Sequence, residues 1–257
     1  MVRPFKKSTA AAVLALALGV SACGSTQQEA ARAADAAAVT DPVDPATAGS
    51  VTGRISFEGA VPRPTPIKMA SDPICEKQGA AVTETIVVGA DGGLKNVFVY
   101  VKDGLGNVRF PVPAAPVVLD QKGCRYVPHV FGVRAGQPIE IISSDPTLHN
   151  IHAIPQANRE FNTGQPVPGV PHRHTFSTNE VMVPFTCDVH RWMSAYVGVL
   201  DHPFYSVTSE AGDFELRGLP PGTYTIEAWH EKLGTQTQTV TIAGKEARTV
   251  QFSFKAT

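Results

Sequence analysis

Four side chains in the middle of this 257-residue chain have the types and spacing to grip a soft metal ion. Cys187, His190 and Met193 follow one another at three-residue intervals in PFTCDVHRWMSAY, and His149 lies upstream in SSDPTLHNIH. A thiolate, two imidazoles and a thioether suit copper by softness, and a trigonal His₂Cys set with a weak axial Met is the blue-copper arrangement. With eight His and four Met in the chain, a given Cys meets His at +3 and Met at +6 about once in two thousand trials. The competing readings are a buried free thiol beside an unrelated His and Met, or structural zinc, which rarely joins one Cys to a Met. A binuclear copper centre needs two cysteines in the loop, and this loop has Cys187 alone.

Such a site needs a rigid frame. A cysteine at the end of a strand, with His and Met on the turn after it, lets one loop supply three ligands while a neighbouring strand supplies His149. Val183, Phe185 and Cys187 alternate with Pro184 and Thr186, so Phe185 and Cys187 share the inward face. From residue 51 onward, β-branched runs alternate with turn chemistry. VTGRISF (51–57), ETIVVG (84–89), KNVFVYVK (95–102) and QPIEIIS (137–143) read as strands, as do GDFELRG, GTYTIEAWH, TQTQTVTI and ARTVQFSF near the C-terminus. Tyr224, Ile226 and Ala228 alternate with Thr225 and Glu227, the period of a half-buried strand. No long amphipathic helix is evident. The predicted class is all-β, built of sandwiches.

Residues 117–203 resemble a cupredoxin. Cys-x₂-His-x₂-Met matches the short-loop members of that family, and Asn150 follows His149 as an asparagine usually follows their first copper histidine. The resemblance implies a Greek-key β-sandwich with one type 1 copper ion on His149, Cys187, His190 and Met193. It further implies that Asn150 ties the two ligand loops together, with Phe185 packed beside the site. Arg191-Trp192 stands where many relatives have proline, which leaves the exposure of His190 open. SEAGDFELRGLPPGTYTIEAWHE resembles the carboxypeptidase regulatory-like module, a small transthyretin-type sandwich, over about 206–254. That family usually opens with a strand like VTGRISFEG, found here at 51–59. The expected organisation is therefore strands at 51–116 that complete the regulatory-like sandwich of 204–257, with the copper domain inserted between them. The alternative is two consecutive domains.

The first 22 residues read as a leader: Arg3, Lys6 and Lys7, then an apolar stretch too short to span a bilayer. Val20-Ser21-Ala22-Cys23 resembles a bacterial lipobox, which makes Cys23 the expected acylation site; the alternative is an ordinary secretory signal. Residues 23–50, rich in Ala and polar groups, read as a tether. With Cys23 assigned to lipid and Cys187 to metal, Cys75 and Cys124 remain, and an exported chain makes a disulfide between them the default over two free thiols. A net charge of −1 and a pI near 6.7 give no footprint for nucleic acid.

Other histidines weaken a single-site reading only if they converge. His129, His152, His172 and His174 lack the repeated His-x-His elements of multicopper oxidases, so His129 reads as structural and the PHRH pair as a polar loop. His152, at an odd offset from His149, points to the opposite strand face. His202 and His230 read as core or surface residues. The expected function is a lipid-anchored envelope copper protein, an electron carrier or copper holder with a redox partner in the envelope, and not an enzyme. The alternative is a surface-anchored module binding carbohydrate or protein, though no aromatic platform for glycan is obvious.

Overall fold

Alternating apolar and polar residues build sixteen strands among the residues described, 41–166 and 168–256 of a computed structural model. The leader, Cys23 and most of the tether lie outside these residues. No helix among them is long and apolar enough to cross a membrane.

One sandwich joins both ends of the described chain. β1 (Gly49–Glu58) lies between β13 (Asp213–Leu219) and β16 (Ala247–Lys255), antiparallel to the first and parallel to the second. The opposing sheet runs β12 (Tyr205–Val207), β2 (Phe98–Asp103), β14 (Gly222–His230), β15 (Gly234–Ile242). Val51, Ile55, Val99, Val101, Ile226 and Phe252 fill the space between the sheets, each worth about 1.5–3 kcal/mol when removed from water.

The intervening chain folds into a second sandwich. One sheet has the order β5 (Val130–Arg134), β11 (Ser194–Leu200), β10 (Glu180–Thr186), β7 (His149–Ala153), β8 (Phe161–Gln165). The other has β4 (Tyr126–Val127), β3 (Val117–Gln121), β6 (Pro138–Ser143) and β9 (His172–Thr175). Its core packs Leu119, Ile139 and Ile141 against Phe131, Ile151, Phe185 and Val197.

The two sandwiches meet at a close junction. Gly132 and Gly198 are paired across β5 and β11, and a Cβ on either would stand 2.2–2.3 Å from the ring of Tyr205 or Phe98. Only bare backbone lets those rings approach. A register shift in β10 gives Met182 a left-handed backbone (φ 75°) and turns it into the same junction with Tyr100, Val130 and Leu200. Nearby, both ring nitrogens of His129 are engaged: Nδ1 lies 3.0 Å from the Ser194 carbonyl and Nε2 2.6 Å from Glu231.

Two local expectations need correction. Residues 84–89 form no strand; the ADGG turn folds them back so tightly that only Val88 bridges Leu94. His172 and His174 lie not on a loop but on β9, which pairs with β6. Both rings stack on Phe161, with centroids 5.8 and 3.8 Å away, and burial lowers the His174 pKa to about 4. The connection from β1 to β2 contains one helical turn, α1 (Pro73–Glu76), capped by Asp72, and this turn reaches the other sandwich.

Candidate metal centre

The site is built where three strands of one sheet end together. β10 pairs with β7 through Thr186 and His152 and with β11 through Thr186 and Ser194, so Cys187 emerges beside His149 and the turn to Met193 closes above them. That turn is fixed by its own backbone: the His190 N–H donates to Cys187 Sγ at 3.3 Å, and the Met193 N–H donates to the His190 carbonyl at 2.9 Å. His149, Cys187, His190 and Met193 are all at most 2% exposed. Donor atoms of His149, Cys187 and His190 lie within 4.8 Å of one another, and Met193 packs in the same cluster as Cys187.

The orientation of each imidazole is set from behind. His149 Nε2 lies 3.0 Å from Asp145 Oδ2, and His190 Nε2 lies 3.0 Å from Asp72 Oδ2. An ionised carboxylate only accepts, so each Nε2 is placed to donate to one, an arrangement that would leave Nδ1 as the nitrogen open to a metal. Those two Nδ1 atoms stand 2.9 Å apart. Two lone pairs at that distance repel unless a proton or a cation lies with them. Burial, with the neighbouring His190, lowers the His149 pKa. The third donor, a buried cysteine sulfur, completes a nitrogen–nitrogen–sulfur set of the kind that holds copper. The residues present therefore fit the ion.

The supports are themselves supported. Gly123 and Cys124 both have left-handed backbone (φ 63° and 53°), and their N–H groups donate to Asp145 at 2.8 and 2.7 Å. Cys124 is disulfide-bonded to Cys75, the pairing expected from the sequence. The N–H groups of Ile74 and Cys75 donate to Asp72 Oδ1, and the Thr147 hydroxyl donates to Oδ2 at 2.7 Å. Burial opposes the charge on Asp72, but these donors and His190 together bring its pKa down to about 2. The chain of contacts closes on itself: His149, Asp145, Cys124, Cys75, Asp72, His190.

Asp72, Cys75 and His190 also cluster, as do Cys124, Asp145 and His149. In both cases the sulfur is held in the disulfide, so it offers no thiolate to a metal. The exposure of His190, open on sequence grounds, is settled by this cap. Trp192 covers one face of its ring at 4.9 Å between centroids and donates to the Cys124 carbonyl, while Cys75 Sγ sits 3.8 Å from Nε2.

Asn150 accepts from the Asp188 N–H at 2.6 Å and donates to the Asp188 and Asn162 side chains, joining the His149 strand to the Cys187 turn. Tyr126, which sequence reasoning does not single out, donates its hydroxyl to the carbonyls of both Asn150 and Thr186. Burial, then the nearby Cys187 sulfur, pushes its pKa far up and keeps it a donor. Phe185 is fully buried against Phe131, Phe161 and Phe176. His152 faces outward to Asp188 and Glu160, away from the three donors.

The profile of the carboxypeptidase regulatory-like domain matches residues 194–255. The match begins in β11 of the metal-site sandwich and then covers β12 to β16, while β1 and β2 come from upstream of it. No curated protein matches the chain. Among solved structures, a copper-containing nitrite reductase from Thermus scotoductus SA-01 is similar over 39% of this chain, with 19% identity and a TM-score of 0.33. The chain spans about a quarter of that enzyme, 26% of its length. A purple cupredoxin from Nitrosopumilus maritimus aligns over 32% of this chain and 98% of its own, with 18% identity and a TM-score of 0.28. A proline-to-alanine mutant of amicyanin in its oxidized state covers 39% of this chain and 97% of its own, with 18% identity and a TM-score of 0.30.

Proposed function

We propose that this chain is an envelope-anchored copper protein that holds one type 1 ion and passes single electrons. Its ligands would be His149 Nδ1, Cys187 Sγ and His190 Nδ1, with the Met193 thioether as a weaker fourth donor. One observation carries the reading: the His149 and His190 Nδ1 atoms stand 2.9 Å apart beside the buried Cys187 sulfur, with a carboxylate behind each ring. Copper supplies one-electron redox chemistry when bound; the residues would supply a frame held at several points. Each histidine is fixed at its outer nitrogen, the Cys187 sulfur accepts from the His190 N–H, and Tyr126 clamps both ligand strands. Such rigidity favours electron transfer over storage, since a storage site must open to load and unload. With four donors no position remains for a substrate, which argues against an enzyme.

Acylation at Cys23 would tether the protein to a membrane of the cell envelope, each buried CH₂ adding about 0.8 kcal/mol. The partner would be a redox protein of the same compartment. Leu148 and Val189, next to the two histidine ligands and 45% and 48% exposed, offer such a partner an apolar approach.

Titration of the metal-free protein with Cu(II) tests the proposal. It predicts an intense visible sulfur-to-copper absorption that saturates at one equivalent, and its complete loss in Cys187→Ser. A colourless wild type would overturn it.

A further inference from the structure

The outer edge of His190 is covered by a segment that belongs to neither the ligand turn nor its sheet. Asp72 lies 118 residues upstream, on the connection between two strands of the other sandwich. Its two carboxylate oxygens have separate tasks. Oδ1 accepts from the Ile74 and Cys75 N–H groups at 2.7 and 3.2 Å and so caps α1. Oδ2 accepts from the Thr147 hydroxyl and from His190 Nε2. The disulfide from Cys75 to Cys124 fixes α1 against the turn that also supports Asp145.

We propose that Asp72 is the positioning residue of His190: its Oδ2 holds the ring proton on Nε2 and thereby leaves Nδ1 free to bind the metal. The inference deepens the copper reading and rests on it for its purpose, but the tautomer itself is a property of the metal-free protein. Asp72 touches no metal; it acts through the ring. Because it is delivered by the regulatory-like sandwich, that sandwich would form part of the copper centre rather than a spacer beside it.

Asp72→Asn separates the two tasks. Asparagine caps helices about as well as aspartate, and the Ile74 and Cys75 N–H groups require its carbonyl oxygen at the Oδ1 position. The amide nitrogen, a donor, must then occupy the Oδ2 position and face His190 Nε2. The ring can only answer by accepting there, which moves its proton to Nδ1, the ligand atom.

The experiment is long-range ¹H–¹⁵N correlation of the imidazole nitrogens in metal-free, full-length protein at about pH 8, above the ordinary imidazole pKa of ~6.5. The expected result is an Nε2–H tautomer for His190 in the wild type and in Thr147→Ala, and an Nδ1–H tautomer in Asp72→Asn. Copper affinity should fall about 10–100-fold in Asp72→Asn, the usual cost of losing such a support. A wild-type His190 already protonated on Nδ1 would overturn the proposal without any variant. So would an Nε2–H tautomer that survives in Asp72→Asn, or a tautomer that changes equally in Thr147→Ala. Should the wild type bind no copper, the copper reading fails while the tautomer results still decide the role of Asp72.

Discussion

The ligand turn, 187–193, and the cap, 69–76, lie on either side of His190 but are built on different terms. The turn is local: three donors within seven residues, fixed by hydrogen bonds between its own backbone groups and Cys187 Sγ. The cap is remote: it comes from the other sandwich and is held by one disulfide, one helix-capping carboxylate and the packing of Met69, Cys75 and Cys124 against Trp192. The turn decides which atoms can bind a metal. The cap decides which way one of them faces. A site can thus be encoded in a short motif while its orientation is encoded more than a hundred residues away.

Breaking the remote half first should have the largest effect on stability. Cys75 and Cys124 are 49 residues apart, and a loop of that length loses about 4 kcal/mol of stabilisation when its bridge is removed, by the chain-entropy account. The Cys75→Ser/Cys124→Ser double variant should show that loss in denaturant unfolding and should weaken copper binding, because both carboxylate supports depend on this bridge. Unchanged copper affinity in a folded double variant would mean that the ligand turn stands without the cap.

A smaller effect is expected from Asp145→Asn, since of the two histidines Asp145 touches only His149. Asp145 sits on the same sandwich as its histidine, four residues before it. Copper affinity should fall about 10–100-fold, or roughly 1.4–2.8 kcal/mol, with little change in the His190 tautomer. Equal effects on both rings would show that the two supports act as one unit through the disulfide.

The smallest expected effect is a slope at the junction of the sandwiches. Burial opposes charge on His129, but Glu231 and then Glu84 outweigh it and raise its pKa. A group raised in the folded state contributes stability in full below its unfolded value of about 6.5 and loses it as pH rises through the higher folded value. The stability difference between wild type and Glu231→Gln should therefore be greatest below about pH 6.5 and shrink above it. A difference that grows with pH would contradict the assignment.

How much of this is legible in the sequence follows the same division. Strand periodicity around Tyr224, Ile226 and Ala228, the inward pair Phe185 and Cys187, and the Cys-His-Met spacing are short-range patterns, and the structure places these residues as their periods require. ETIVVG has the composition of a strand, yet the following ADGG turn leaves it almost no partner to pair with. PHRH is polar and opens with a proline, which reads as loop; pairing of β9 with β6 and stacking on Phe161 override that local character. Asp72 in SDPIC carries a visible signal, an Asp-Pro helix start, but nothing in its neighbourhood points to a histidine 118 residues away. Asp145 and Tyr126 escape sequence reasoning for the same reason: their partners are set by tertiary packing.

The central claim is that a single copper ion sits between His149, Cys187 and His190. A copper-edge anomalous difference map from crystals of the copper-loaded protein tests it most directly. The account predicts one strong peak within bonding distance of His149 Nδ1, Cys187 Sγ and His190 Nδ1. A peak on outward-facing His152 or on the His172–His174 pair, with nothing beside Cys187, would contradict it.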